Sequence, residues 1–426
     1  MTIDSLYQRF LECSGACTDT RHITNNSMFF ALKGENFNGN IFADKALENG
    51  AKYVVIDEEA YKTSPKHILV DHVLTTLQHL ATHHRKQLNT PIIALTGSNG
   101  KTTTKELIKA VLSQKYQVSA TKGNLNNHIG VPLTLLDLKK ETEIAVVEMG
   151  ANHHHEIDFL CGLTLPDFGL ITNFGKAHLE GFGSLDGVVK AKSELYNHLK
   201  NHNKPIFLNE TDKTQVAQVG QYYNTIPFGP NAKKTTVSFL SANPLVSVTY
   251  MGQQINSHLI GRYNFNNIAV AIAVGQHFNV APTLIKHAIE NYIPANNRSQ
   301  MIETGKNSVL LDAYNANPTS MMAALENFTS LAGKEKLVIL GDMFELGTDS
   351  QLEHQHVVSF LEGQKDLKAF IVGQAFFEAK TNAAHLHAFK NYQALAEHLK
   401  NSPISGQHIL IKGSRGMALE RALDLL

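Results

Sequence analysis

The chain has 426 residues, of which 43% are hydrophobic and 18% are charged. Single hydrophobic cores stop growing at about 250–300 residues, so this length predicts several domains, and the apolar content excludes a wholly disordered chain. Lys and Arg together number 38, as do Asp and Glu. This balance argues against nucleic acid as a partner, because nonspecific attraction to a polyanion needs a basic excess.

Three cysteines, Cys13, Cys17 and Cys161, are too few for a disulfide framework and predict reduced thiols in the cytoplasm. The N-terminus shows no apolar signal core. The longest clean apolar stretch, 268–275, is too short to cross a bilayer. We therefore expect a cytoplasmic protein with no membrane insertion.

The first part of the chain, residues 1–89, predicts a small α/β domain. Apolar runs and helical spacing predict strands at 28–32 and 53–56 and helices at 41–49 and 73–88. Asn89-Thr90-Pro91 follows the last helix and predicts a domain boundary, since the residue before a proline disfavours helix.

The middle part, residues 90–296, predicts a mostly parallel sheet, because buried-strand patterns alternate with helical ones. The predicted elements are strands at 92–95, 144–149, 168–172 and 206–208, an alternating antiparallel edge strand at 246–250, and helices at 103–114, 186–198 and 262–278. The pairs His83-His84 and His385/His387 and the run 153–155 are predicted to decorate the surface.

The last part, residues 297–426, predicts a Rossmann-like sheet without a Gly-x-Gly-x-x-Gly fingerprint. Its predicted elements are strands at 309–312, 337–341, 369–373 and 408–411 and a helix at 316–331, with Pro318 in the first turn. The predicted fold is therefore α/β with three domains.

The strongest chemical signal is a glycine-rich turn between a predicted strand and a predicted helix. Its glycines let backbone N–H groups converge on an anion, and the start of the helix adds positive potential. A lysine there can reach the outer phosphates, and the next hydroxyl can ligate magnesium. The turn and helix start comprise Gly97, Ser98, Asn99, Gly100, Lys101, Thr102 and Thr103. Only two residues separate these glycines, where the common phosphate loop has four, and the alternative is an ordinary strand–helix turn.

Two further residues follow predicted parallel strands, whose carboxyl ends face the ligand crevice of such sheets. Glu148 ends the run 144–149, and a carboxylate beside a phosphate loop suits magnesium. The alternative is a glutamate that caps a loop. His178 follows the next strand, but among 22 histidines its position alone does not separate a ligand from a surface residue.

Motifs along nearly the whole chain resemble those of the Mur ligases, the ATP-dependent amide-bond-forming enzymes of peptidoglycan synthesis. The matching segments are TDTR at 18–21, FFALKG at 29–34, TGSNGKTTTKE at 96–106, KGNLNNHIGVPLTLL at 122–136, VVEMGAN at 146–152, AHLEGFGSL at 177–185, AKSELY at 191–196, GRYNFNN at 261–267, DAYNANP at 312–318, GDMFELG at 341–347 and KGSR at 412–415. DAYNANP and GDMFELG resemble the member that adds D-alanyl-D-alanine rather than a single amino acid.

The resemblance implies a division of labour among the three domains. Residues 1–89 would bind the UDP-sugar, 90–296 would bind ATP, and 297–426 would close over ATP and the incoming amine. The implied reaction joins D-alanyl-D-alanine to the terminal carboxylate of UDP-N-acetylmuramoyl-tripeptide through an acyl phosphate. ATP and Mg²⁺ are the implied cofactors, and the enzyme is expected to act as a monomer.

The resemblance also implies roles for individual residues. Lys101, Lys192 and His178 are the expected catalytic residues. Thr102 and Glu148 would hold a first magnesium ion, and His178 would help to hold a second. Lys192, which spacing does not distinguish from Lys190, matches a position that is carbamylated in these ligases, and its carbamate would act towards magnesium as a carboxylate.

Nucleotide and substrate contacts are implied at further positions. Those for ATP, beyond the phosphate loop, are Asn264, Asn267, Arg298, Asp312, Tyr314 and Asn315. Those for the UDP-muramoyl substrate are Thr20, Arg21, Asn126 and Asn127. Ser414 and Arg415 precede a helix start and are candidates for the carboxylate of D-alanyl-D-alanine.

Two other function classes remain open at this point. An amino-acid-adding or folate-glutamate ligase of the same superfamily would share the phosphate loop and the magnesium residues. A protein that binds ATP without ligating anything would share the loop alone.

Overall fold

The structure is a computed structural model that describes residues 2–295, 297–333 and 335–426. Within these residues the strands form sheets of four, nine and six strands and one two-stranded ribbon. The α/β class predicted from the sequence is confirmed. The predicted boundary between the second and third domains falls on Asn296, which lies outside the described residues.

The N-terminal sheet is parallel and has the order β1-β2-β5-β6, with β3 and β4 forming the ribbon. Its elements are α1 (Ile3–Leu11), β1 (Ala16–Cys17), β2 (Met28–Phe30), β3 (Lys33–Gly34), β4 (Phe37–Asn38), α2 (Ala43–Glu48), β5 (Tyr53–Ile56), β6 (His67–Leu69) and α3 (Val73–Gln87). The two predicted strands are confirmed. The predicted helix 41–49 is confirmed only from Ala43, since a 3₁₀ turn, Gly39–Phe42, precedes it.

Helix α3 joins this domain to the next one. The Arg85 guanidinium donates to the Thr164 carbonyl at 3.0 Å and pairs with Asp167 at 2.7 Å. His84 is buried between the Tyr7 hydroxyl and the Leu138 carbonyl, so its predicted surface position is wrong. Its neighbours on α1 and α3 are apolar, and hydrophobic burial outweighs the residue's ordinary preference for water.

The central sheet has the order β15-β14-β13-β12-β11-β10-β7-β9-β8 and is parallel from β8 to β13. Its elements are β7 (Ile92–Thr96), α4 (Lys101–Leu112), β8 (Val118–Ala120), α5 (Gly130–Leu136), β9 (Ile144–Glu148), α6 (Glu156–Thr164), β10 (Phe168–Ile171), α7 (Leu179–Phe182), α8 (Leu185–Asn201), β11 (Ile206–Asn209), α9 (Lys213–Val219), β12 (Thr225–Gly229), β13 (Thr235–Ala242), β14 (Leu245–Tyr250), β15 (Gln253–Ile260), α10 (Phe265–His277) and α11 (Pro282–Glu290).

Two features of this sheet matter for the site. Strand β7 lies between β9 and β10, so the segments that follow these three strands meet at one edge. Strand β14 is antiparallel as predicted, but it is not an edge strand, because β15 pairs with its outer side.

The C-terminal sheet has the order β16-β17-β21-β18-β19-β20 and is parallel except for β16. Its elements are β16 (Gln300–Glu303), β17 (Ser308–Asp312), α12 (Pro318–Ser330), β18 (Lys336–Gly341), α13 (Ser350–Glu362), β19 (Leu367–Val372), α14 (Gln374–Glu378), β20 (Leu386–Phe389), α15 (Tyr392–Asn401) and β21 (His408–Lys412). All four predicted strands and the predicted helix are confirmed. No helix among the described residues is both long enough and apolar enough to cross a membrane.

Candidate active site

The glycine-rich turn connects β7 to α4, and the helix begins at Lys101, two residues earlier than predicted. Gly97 and Gly100 have φ angles of +144° and +77°, a region that side chains disfavour. A Cβ atom on Gly97 would lie 2.0 Å from the Thr172 hydroxyl. The backbone N–H groups that begin α4 therefore face an open loop, which is the arrangement that binds phosphate.

Polar groups that follow β10 hold this loop in place. The Thr172 hydroxyl donates to the Asn99 carbonyl at 2.6 Å, and the Asn173 amide donates to the same oxygen at 2.9 Å. The Ser98 hydroxyl donates to the Gly175 carbonyl at 2.8 Å. Because the loop is anchored by protein groups, it needs little reorganisation to receive a ligand.

Lys101 folds back over the loop. Its ammonium donates to the Gly97 carbonyl at 2.7 Å and to the Ser98 carbonyl at 3.3 Å. Burial lowers the pKa of Lys101, and the nearby Arg298 guanidinium lowers it further, whereas the Glu148 carboxylate raises it. Excess positive charge in a confined space favours an anionic ligand.

Glu148 lies at the end of β9 with a carboxylate that is only 2% exposed. The Thr102 hydroxyl donates to it at 3.0 Å, and the Asn126 amide donates at 2.9 Å. This buried carboxylate and hydroxyl are oxygen ligands of the kind that magnesium prefers. No cluster of three or more His, Cys, Asp or Glu side chains that could hold a metal occurs in the described parts of the chain. A magnesium ion here would therefore complete its coordination with substrate phosphate and water.

Lys192 and His178 lie on either side of the short helix α7. The Lys192 ammonium is 1% exposed, donates to the Ala151 carbonyl at 3.0 Å and lies over the Phe182 ring. Burial lowers the pKa of Lys192 to about 7, and the charge of Lys101 contributes. Lys190, by contrast, is exposed. His178 begins α7 with a left-handed φ of +53° and lines the cavity described next.

The phosphate loop opens into a cavity of about 660 Å³ that residues of the central and C-terminal domains line together. On the C-terminal side, the Arg298 guanidinium stacks over the Tyr314 ring at 3.6 Å, and its Nε has no hydrogen-bond partner among the described residues. Asp312 pairs with Lys412 at 2.6 Å. Asn315 also lines the cavity. The C-terminal domain therefore adds a second cationic group, Arg298, to the lining of the cavity.

Asn264 and Asn267 lie at the start of α10 and line the cavity, although their amides are largely engaged within the protein. The Asn267 amide donates to Asn264 at 2.7 Å, and Asn267 accepts from the Thr104 hydroxyl at 3.0 Å. The Tyr263 hydroxyl contacts the Ser299 hydroxyl at 3.0 Å and so ties α10 to the start of the C-terminal domain.

The remaining predicted substrate residues divide into two groups. Asn126 and Asn127 line the cavity. Thr20, Arg21, Ser414 and Arg415 do not line it: Arg21 pairs with Asp19, Arg415 pairs with Glu420, and the buried Ser414 hydroxyl accepts from the Phe344 backbone.

Three residues at the site were not predicted to act there. Lys412 belongs to the KGSR motif and Asn317 to DAYNANP, so motif membership was a usable signal for both. The Asn317 amide donates to the side chain of Asn99 in the phosphate loop at 2.7 Å. Glu345, in GDMFELG, lies with its carboxylate 2.5 Å from His178 Nδ1. Nothing in the sequence pairs these two positions.

Family models match all three parts of the chain. The model described as the Mur ligase family, catalytic domain, matches residues 12–87, the Mur ligase middle domain matches 95–275, and the Mur ligase, glutamate ligase domain, matches 297–415.

Curated relatives and solved structures are similar over nearly the full length. The UDP-N-acetylmuramoyl-tripeptide–D-alanyl-D-alanine ligase of Bacillus subtilis is 36% identical over 97% of this chain and 93% of its own. The Escherichia coli ligase of that name is 36% identical over 96% and 92%. A crystal structure of MurF from Acinetobacter baumannii superposes with a TM-score of 0.86 at 30% identity, covering 100% of this chain and 98% of that one. The structure of MurF ligase from Thermotoga maritima in complex with ADP has a TM-score of 0.84 at 26% identity, covering 98% and 97%.

Proposed function

This chain belongs to the Mur ligase family, and from that membership and the site we propose that it joins D-alanyl-D-alanine to UDP-N-acetylmuramoyl-tripeptide at the expense of ATP. The observation that carries the proposal is a single cavity lined both by the phosphate loop and by residues of the DAYNANP motif in the C-terminal domain. Two relatives that are 36% identical over nearly the whole chain carry that enzyme name. The products are the UDP-N-acetylmuramoyl-pentapeptide, ADP and phosphate, and the reaction belongs to peptidoglycan synthesis.

The chemistry must overcome the poor electrophilicity of a carboxylate at neutral pH. The terminal carboxylate of the tripeptide attacks the γ-phosphorus of ATP, the bond from that phosphorus to the β–γ bridging oxygen breaks, and an acyl phosphate and ADP form. The amine of D-alanyl-D-alanine then attacks the acyl carbon and loses a proton. The bond from that carbon to the oxygen of the acyl phosphate breaks, and inorganic phosphate leaves with this former carboxylate oxygen. Two anions meet in the first step, so charge neutralisation dominates its barrier.

The residues on the walls of the cavity suit that task. Lys101 and the loop N–H groups would hold the outer phosphates, and Arg298 would face the nucleotide from the other side. The nucleotide would also be contacted by other residues that line the cavity, namely Asp312, Tyr314, Asn315, Asn264 and Asn267. Asn126 and Asn127 would contact the muramoyl substrate.

Magnesium is proposed at Thr102 and Glu148, with His178 at a second position. When bound there, it would neutralise phosphate charge and orient the γ-phosphate. Thr102 and Asn126 hold the Glu148 carboxylate in place for this role.

The carbamate predicted at Lys192 gains no support from the comparisons, and the proposed reaction does not use it. As an unmodified side chain, Lys192 supports the loop 150–156 through its bond to Ala151.

The three-domain division is proposed with the same limits as those predicted, 1–89, 90–296 and 297–426. The three sheets and the three family-model matches support it. Within it, Thr20 and Arg21 would act on the UDP-sugar at the N-terminal domain, and Ser414 and Arg415 on the dipeptide carboxylate at the C-terminal domain.

The proposal is tested by ADP release with UDP-N-acetylmuramoyl-tripeptide present and each amine supplied in turn. Turnover with D-alanyl-D-alanine, and not with diaminopimelate, lysine or glutamate, is the expected result. Turnover with a single amino acid would assign the chain to another ligase of the family. Binding of ATP without amine-dependent turnover would rule out a ligase.

A further inference from the structure

The ring of His178 is contacted from the opposite domain. Nδ1 of His178 is shut off from solvent, and the Glu345 carboxylate of the C-terminal domain lies 2.5 Å from it. The contact is close but not aligned as a hydrogen bond, and no other described group serves as a partner for Nδ1.

The two residues that make this contact both have an unusual backbone conformation. Glu345 has a φ angle of +62° and His178 one of +53°, both in the left-handed region that non-glycine residues seldom adopt. The Glu345 carbonyl also accepts from the Glu180 N–H at 3.2 Å, in the first turn of α7. Strained backbone of this kind persists only where surrounding contacts fix it, and it is concentrated at functional sites.

Domain docking alone does not require the Glu345 carboxylate. The segment after β10 is held by two other groups of the C-terminal domain: the Lys176 ammonium pairs with Glu353 at 2.6 Å, and the Lys176 N–H donates to the Thr319 hydroxyl at 2.9 Å. The contact between Glu345 and His178 is the one that reaches an imidazole on the cavity wall.

A carboxylate at Nδ1 has a defined chemical effect on an imidazole. It favours the tautomer with the proton on Nδ1, fixes the ring orientation and leaves the Nε2 lone pair free. With Nδ1 occupied, Nε2 is the ring atom that remains for the phosphate cavity.

We propose that Glu345 is a positioning residue for the ligase reaction: it orients His178 so that Nε2 serves the cavity only when the C-terminal domain is docked. The proposal rests on the proposed function, since it assigns His178 to that reaction. The GDMFELG loop would thus couple docking of the C-terminal domain to the orientation of His178 at the phosphate site.

The kinetic test is a double-mutant cycle on kcat. Glu345→Ala is expected to lower kcat by ~10–100-fold, the range seen when such supporting partners of a histidine are removed. Glu345→Gln, which keeps an acceptor, is expected to lose less. In a His178→Ala background, Glu345→Ala is expected to cost nothing further, because interacting residues are not additive. Glu353→Gln is the matched control: it loosens docking without touching His178, so its effect should persist in that background.

An equal effect of Glu345→Ala with and without His178 would overturn the inference. A wild-type protein without amine-dependent turnover would instead contradict the proposed function, so the two failures are distinct.

A spectroscopic test needs no turnover. ¹⁵N NMR of histidine-labelled protein reports which ring nitrogen carries the proton, and the His178→Ala variant identifies the His178 signal. Wild type should show the Nδ1–H tautomer, and Glu345→Ala should shift the signal towards a mixture of tautomers. An unchanged tautomer in Glu345→Ala would contradict the proposal.

Discussion

At the scale of single residues, we propose that the phosphate chemistry depends most on Lys101. Replacing it with alanine removes the mobile charge over the loop, and we expect kcat to fall by ~10²–10³-fold, about 3–4 kcal/mol of barrier. The measurement is ADP release with both substrates saturating. Lys109→Ala, on the exposed face of the same helix, is the control that should retain full turnover. Equal activity of the two variants would contradict the assignment of this turn to phosphate binding.

Lys192 makes folding stability depend on pH in a defined direction. Its pKa is lowered to about 7 in the folded protein, against an ordinary value of 10.5. Between these values the unfolded chain binds a proton that the folded chain does not. The contribution of Lys192 to the free energy of unfolding therefore rises with pH across this window. Below about pH 7 both states are charged and the burial cost is fully present.

The test compares wild type with Lys192→Met by chemical denaturation from pH 6.5 to 9. The unfolding free energy of wild type minus that of the variant is expected to increase over this range. Lys190→Met, at an exposed position, should show a constant difference. A flat profile for Lys192→Met would mean that folding does not lower the pKa of Lys192.

The sequence singled out residues that line the cavity where a motif coincides with a strand end or a helix start. Lys101, Thr102 and Glu148 could be predicted because each sits at the end of a strand or the start of a helix. Glu345 could not, because its importance arises from a contact with a residue far away in the chain. Lys412 was missed although it belongs to the KGSR motif, and its ion pair with Asp312 on the neighbouring strand is visible only in the structure.

At the scale of elements, the phosphate loop depends on Gly100. Its φ of +77° and the Asn267 amide oxygen, 2.7 Å from an added Cβ, leave no room for a side chain. Gly100→Ala is expected to cost about 1–2 kcal/mol from the left-handed backbone alone and to abolish the rise in Tm on adding ATP. Gly162→Ala, in α6 where an added Cβ meets nothing within 4 Å, is the control that should keep this rise. An ATP-induced rise of normal size in Gly100→Ala would contradict the loop assignment.

Helix α12 is tied to the phosphate loop through its first residue outside the helix. Asn317 caps the helix by accepting from the Ser320 N–H and donates to the Asn99 side chain. Asn317→Ser keeps a capping oxygen but loses the amide contact, so kcat should fall about 2–10-fold with little change in Tm. Asn317→Ala should lose a further ~0.5–2 kcal/mol of stability. A kcat for Asn317→Ser equal to that of wild type would show that the contact does not assist catalysis.

The elements that the sequence predicted are those with a clear burial pattern. Fully buried parallel strands such as β7 and β9 read as continuous apolar runs. Strands β13 and β15 were missed because their faces are partly exposed and their sequences are polar. That omission is also why β14 was taken for an edge.

At the scale of the whole molecule, the cavity exists only because two domains meet. The N-terminal domain joins the central one through α3 and Arg85, while the C-terminal domain meets it through Asn317, Glu345 and Glu353. The sequence predicted three α/β domains but not how they face each other, since no local pattern encodes contacts between distant segments. Closure of the cavity would exclude water and so protect an acyl phosphate from hydrolysis.

In the proposed reaction, phosphorylation activates the carboxylate of the tripeptide. UDP-N-acetylmuramoyl-tripeptide with both oxygens of its terminal carboxylate labelled with ¹⁸O tests it most directly, with ATP and D-alanyl-D-alanine present. Each inorganic phosphate released with pentapeptide is expected to carry one labelled oxygen, measured by mass spectrometry. Pentapeptide formed together with unlabelled phosphate would contradict it.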